Sequence, residues 1–271
     1  MKYIRSTMTI AALGLLSASF ADLTAVNGVK VYPRVFNDIP TSNFSSSVNY
    51  PGSVVMQDDN VNTGGWANRH IWYLSDSNGT NPFAHPGGDM SFEYTFDAKL
   101  ETTAGGVEAG MFLRFPVDGG WISEVQYLIK GDGFVVAFGT PIPFYNMADA
   151  GWSYTPGSTV KMGIRYYKNA FDNYVVQWIY GNNTSPEMLL DGAVQGLPWD
   201  FRTLGLRPTY DSGGPKENWL GAYLQVPKPA AASKFTVSNI TLDPYPWVKA
   251  TIDLDSAANV GQMVNLEVRD M

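Results

Sequence analysis

Two stretches set the reading of the chain: Phe92-Glu93-Tyr94-Thr95-Phe96-Asp97-Ala98-Lys99-Leu100 and Val107-Glu108-Ala109-Gly110-Met111-Phe112-Leu113-Arg114-Phe115. Phe92, Tyr94 and Phe96 alternate with Glu93, Thr95 and Asp97, and Val107, Ala109, Met111, Leu113 and Phe115 alternate with Glu108, Gly110, Phe112 and Arg114. Successive side chains of a strand point to opposite faces, so this period of two predicts strands with one buried face. Similar runs follow outward at Val29 to Tyr32, Ser53 to Met56, His70 to Leu74, Ile122 to Ile129, Phe134 to Phe138, Val160 to Tyr167, Tyr174 to Tyr180, Leu220 to Val226 and Phe235 to Leu242. Turn-forming stretches such as Asp118-Gly119-Gly120, Gly131-Asp132-Gly133 and Pro156-Gly157 separate them, and no long amphipathic helical pattern intervenes. Short strands at this spacing predict an all-β, two-sheet antiparallel sandwich, with Val29 to Tyr32 as a short edge strand.

Composition agrees. With 45% hydrophobic and 16% charged residues, the 271-residue chain can bury a core. A net charge of -7 without a Lys/Arg block excludes nonspecific attraction to a phosphate backbone, so no nucleic-acid partner is expected. The absence of Cys removes disulfides, thiolate metal sites and thiol nucleophiles, and two His leave little for transition metals.

Lys2 and Arg5, the apolar Ile10 to Leu16 and the small residues flanking Phe20 at Ser19 and Ala21 read as a secretory signal peptide over 1–21. The expected location is therefore extracellular or at the cell surface, with no membrane span after cleavage. Residues 22–243 form the expected sandwich domain. Beyond Asp243-Pro244-Tyr245-Pro246, the runs Val248 to Leu254 and Val264 to Val268 read as a linker plus β-hairpin over 244–271, which either adds to the sandwich or starts a truncated second domain, the latter favoured.

For chemistry, Glu93, Glu108 and Glu124 lie on predicted strands, where Glu108 shares a face with Arg114 and Glu124 with Gln126. On a concave face, Arg114, Arg165 and Gln177 would complete a polar floor. No spacing forces two carboxylates together as glycan hydrolysis requires, and no Gly-x-Ser-x-Gly elbow is present. His70 and His85 read as satisfied structural or surface histidines. Asp58, Asn60 and Asn62 place oxygens at alternate positions, the opening of a calcium loop, but the Gly of position six is missing and Arg69 stands where a bidentate acid belongs. Calcium is the single cofactor left open.

Aromatics are the stronger signal. Trp66, Trp72, Trp121, Trp152, Trp199 and Trp219 fall in or beside predicted loops and strand ends, where a ring can stack on a sugar or fill a small core. Trp219, Tyr223 and Gln225 share one strand face and form the best ligand patch, with Trp121, Glu108, Arg114, Arg165 and Gln177 as further candidates. Trp178 shares a face with Tyr174, Val176 and Tyr180 and reads as core.

The strand Val107 to Phe115, the run Val135 to Gly139, Pro156 to Ile164 and the closing strand Phe235 to Leu242 resemble the concanavalin A or laminin-G type of jelly roll. They are similar also to exported bacterial proteins of that kind. Laminarinase-like hydrolases of that superfold carry a Glu-x-Asp-x-x-Glu or Glu-x-Asp-x-Glu strand, which this sequence lacks. Alginate-lyase-like members carry an Arg-rich strand and a Gln-Ile-His strand, also lacking here. The resemblance therefore implies glycan binding more readily than glycan cleavage. Three functions are carried forward: a secreted, non-catalytic, carbohydrate-binding module for extracellular polysaccharide or cell-surface glycan; a structural or adhesive domain binding a surface protein; and a divergent glycoside hydrolase or polysaccharide lyase using Glu108 or Glu124 with Arg114 or Arg165.

Overall fold

The computed structural model describes residues 26–59, 66–76, 78–83, 91–116, 122–139, 145–171, 174–189, 219–227 and 232–245. The expected signal peptide and the expected hairpin after Pro246 lie outside them, as do Asn60, Asn62, His85, Trp121 and Trp199. Among the described residues no helix is long and apolar enough to cross a membrane.

The strands are β1 (Gly28–Asn37), β2 (Phe44–Asn49), β3 (Ser53–Asp58), β4 (Ala67–Ser75), β5 (Phe92–Glu101), β6 (Glu108–Pro116), β7 (Ile122–Lys130) and β8 (Val135–Gly139). They continue with β9 (Tyr145–Asn146), β10 (Thr159–Lys168), β11 (Tyr174–Tyr180), β12 (Asn183–Thr184), β13 (Met188–Leu189), β14 (Trp219–Pro227) and β15 (Ser233–Pro244). One sheet runs β1-β4-β14-β6-β7-β8-β9, the other β12-β11-β10-β5-β15-β3-β2, with β13 added beside β11. Every pairing is antiparallel. The molecule is an all-β jelly-roll sandwich.

The alternation seen in sequence becomes the core. Trp72 of β4, Met111 of β6 and Tyr127 of β7 meet Tyr94 and Phe96 of β5, Ile164 of β10, Trp178 of β11 and Phe235 of β15 between the sheets. Each such side chain contributes about 1.5–3 kcal/mol by leaving water. Phe96→Ala is expected to cost about 3–5 kcal/mol, read as a lowered urea midpoint at unchanged slope.

Two elements depart from the sequence pattern. β1 does not stop at Pro33; it continues to Asn37 because Arg34 takes up a left-handed φ of 54° and the register shifts between Tyr32 and Phe36. β2 carries Ser45, Ser46, Ser47, Val48 and Asn49, all exposed, so an edge strand with no buried stripe left no period to read. Gly221 answers a close approach: a Cβ there would run into the Trp72 carbonyl of the neighbouring strand.

A buried polar cluster links β3 of one sheet to β4 of the other. Asp58 Oδ2 accepts from His70 Nε2 at 2.7 Å, Asn68 Nδ2 at 3.0 Å and Ser42 Oγ at 3.2 Å. The Asp58 carboxylate, a calcium candidate in sequence, thus faces the interior of the sandwich. His70 Nδ1 accepts the Arg34 backbone N–H at 3.1 Å, so Nε2 carries the ring proton and the imidazole is neutral. Burial lowers the His70 pKa below its usual 6.5, against the opposing pull of Asp58. Below about pH 6.5 the unfolded chain binds a proton that the folded one resists, so this part of the stability is complete above that pH and is lost as pH falls toward the folded value. Thermal melts across that window should show the loss, and His70→Gln should flatten it.

Candidate functional site

The seven-stranded sheet has a second aromatic face, turned away from the core. Alternation along β4 sends Trp72 and Leu74 inward and Arg69, Ile71 and Tyr73 outward; along β14 it sends Leu220, Ala222 and Leu224 inward and Trp219, Tyr223 and Gln225 outward. β6 adds Glu108, Phe112 and Arg114 to the outer set. Ile71, Tyr73, Phe112, Leu128, Val136, Trp219 and Tyr223 form one buried cluster there.

A cavity of about 570 Å³ opens over one end of this face. Its floor is Tyr32, Ile71, Tyr73 and Trp219, its rim Val35, Phe36 and Trp66, and its two charges are Arg69 and Arg114. Trp66 is 59% exposed and meets Phe36, 37% exposed, edge-on with centroids 5.5 Å apart. Trp219 is only 4% exposed: Tyr32 lies nearly parallel to it at 6.4 Å, Tyr73 packs at 4.9 Å, and the Arg114 guanidinium sits 4.9 Å from its ring centre. The freest flat ring is therefore Trp66, while Trp219 supports the floor and holds a cation over it.

A polar chain continues along the same face. Arg69 Nε donates to Gln225 Oε1 at 2.7 Å, and Gln225 Nε2 donates to Glu108 Oε1 at 2.6 Å. Arg69 also lies 5.7 Å from the ring centres of both Phe112 and Tyr223. Burial raises the Glu108 pKa, with Arg69 and Lys130 pulling the other way. Tyr223 is fully buried and its phenol is pushed far above its usual range, so it serves as packing and not as a proton acceptor near neutral pH. Glu124 sits opposite Arg114 in the β6–β7 ladder, but its side chain is outside the described set.

The polar floor expected from sequence is divided. Arg165 and Gln177 face each other across β10 and β11 on the other sheet, with Arg165 Nε donating to Glu93 Oε2 at 2.5 Å. Gln177 Nε2 donates to the Ser185 carbonyl. The inner faces carry the shared core, so the outer faces point in opposite directions and Arg165 and Gln177 cannot join Glu108 and Arg114. Among the other tryptophans, Trp72 is core, and Trp152 is buried and stacks on Tyr180. Arg69, Tyr32 and Phe36 were not singled out by sequence: Arg69 hides inside a continuous strand pattern, and Phe36 lies beyond Pro33.

No family model and no curated protein sequence matches the chain. Solved structures do resemble it. An alginate lyase from Corynebacterium sp. aligns at TM-score 0.48 and 8% identity, covering 82% of this chain and 96% of that one. A pseudo β-1,3-glucanase of Mycobacterium tuberculosis aligns at 0.46 and 10%, covering 80% and 91%. The carbohydrate-binding module CBM66 from Bacillus subtilis aligns at 0.40 and 9%, covering 80% and 97%. Identities of this size speak to overall architecture only.

Proposed function

We propose that this chain is an exported module that binds an extracellular polysaccharide in the groove of the seven-stranded sheet without cleaving it, and that the preferred glycan is acidic. The observation that carries this is the groove's lining: aromatic rings at rim and floor, two guanidiniums, and no carboxylate among the described residues that line it. Aromatic faces take the C–H face of a pyranose, and planar guanidiniums take carboxylate or sulfate in bidentate fashion. On a chain of net charge -7, two arginines gathered at one apolar groove favour an anionic ligand locally. Glu108 reaches Arg69 of the groove through Gln225, which already takes its Oε1. That arrangement supports recognition over general acid catalysis.

A glycan array probed with the full chain tests this directly. Retention is expected on polyuronates or sulfated glycans, with no new reducing ends or unsaturated products released. Trp66→Ala should reduce retention by about tenfold. A chain that is retained on no glycan, or that releases product from one, would contradict the proposal.

A further inference from the structure

We propose that His70, acting through Arg34, is a positioning residue for the rim of this groove: the buried pairing of Asp58, His70 and Arg34 holds a bulge of β1 that turns Val35 and Phe36 toward Trp66. The inference rests on reading the groove as the ligand site, and it assigns the shape of that site to residues that never touch the ligand.

The register shows how. Tyr32 pairs with Ile71 and Phe36 with Arg69, so β1 spends three residues where β4 spends one, and that one is His70. Pro33 has no N–H to give to the ladder. Arg34, at φ 54°, gives its N–H to the His70 ring in place of a backbone carbonyl, at 3.1 Å. The ring cannot turn away to release it: Nε2 is held by Asp58 at 2.7 Å, and Phe44 stacks on the imidazole at 3.9 Å with planes 12° apart.

The Arg34 side chain then ties down the following segment, donating to Asn37 Oδ1 at 3.2 Å, the Ile39 carbonyl at 3.0 Å, Ser42 Oγ at 3.1 Å and the Ser42 carbonyl. Trp66 hangs on the same segment, its backbone N–H donating to Asp38 Oδ2 at 3.0 Å. Both halves of the rim, Phe36 and Trp66, are therefore anchored to the stretch that His70 fixes. A regular strand would send Val35 and Phe36 to opposite faces; the bulge brings both to the groove.

The test uses the full chain and reads the indole N–H resonance of Trp66, assigned with Trp66→Phe, without ligand, followed by affinity for an oligogalacturonate. His70→Gln keeps an acceptor for Arg34 and a donor for Asp58, so both readouts are expected to match the wild type. His70→Phe keeps the stack on Phe44 and loses both hydrogen bonds; it should move the Trp66 resonance, leave that of Trp178 in place, and weaken binding about tenfold, the scale of ordering two rim side chains. Should His70→Phe not fold, Arg34→Gly suits the left-handed φ, keeps the N–H and removes the four anchors, and is expected to give the same two changes. An unmoved Trp66 resonance in the folded variant, or failure of His70→Gln to match the wild type, overturns the proposal. If the wild type itself binds no glycan, the ligand reading fails while the Trp66 resonance still decides whether His70 sets the rim.

Discussion

Asp58→Ala is expected to lower the free energy of unfolding by roughly 1.5–3 kcal/mol, the scale for losing a buried hydrogen bond to a charged group. Asp58 ends β3 in one sheet, whereas His70 and Asn68 belong to β4 in the other, so the carboxylate is a polar pin between the two layers. Its side chain and that of His70 have no solvent exposure. Alanine would leave the His70 Nε2–H facing a dry gap, whereas Asn68 Nδ2 keeps the Ile39 carbonyl and Ser42 Oγ, and Ser42 keeps its bond with the Ile39 carbonyl. Asp58→Asn should cost less, because its carbonyl oxygen still accepts. Urea unfolding of the three proteins measures this, and a loss under about 1 kcal/mol for Asp58→Ala would remove the pin from the account.

Arg114→Met is expected to weaken binding of an acidic glycan by about tenfold to a hundredfold while leaving the weaker binding of a neutral glycan unchanged. The range corresponds to one charge-assisted hydrogen bond of about 1.5–3 kcal/mol. Methionine keeps an unbranched stem over Trp219, so packing survives and the charge alone is removed. Stability should barely change, since the guanidinium is half-buried at the groove mouth. Added salt should mimic the substitution in the wild type and do little more to the variant. A variant that loses acidic and neutral glycans equally would show that Arg114 acts through packing.

Much of the fold was legible because one-sided burial writes itself into sequence with a period of two. Phe92 to Leu100 and Val107 to Phe115 became β5 and β6, with Phe92, Tyr94, Phe96, Ala109, Met111 and Leu113 between the sheets. β2 was illegible for the converse reason, as Ser45 to Asn49 bury nothing. The site was legible only in part. Periodicity placed Trp219, Tyr223 and Gln225 on one face, and Glu108 on a face with Arg114, but alternation says nothing of which sheet a strand joins. That is why Arg165 and Gln177 were grouped with residues on the opposite side of the sandwich. Nor does it report depth: Tyr223 is sealed and Trp219 nearly so, while Trp66, in a loop without period, stands most open. The pairing of Asp58 with His70 crosses from one sheet to the other, and local spacing carries no trace of such a contact.

The most direct measurement is a calorimetric titration of the full chain with an oligogalacturonate and, separately, with a neutral oligosaccharide of equal length, at low and at moderate salt. The predicted result is saturable, salt-sensitive binding of the acidic ligand that is at least about tenfold tighter than that of the neutral one and is diminished in Trp66→Ala. Equal affinity for the two ligands, or acidic binding that survives unchanged in Trp66→Ala, would contradict the assignment of this groove as the site of an acidic polysaccharide.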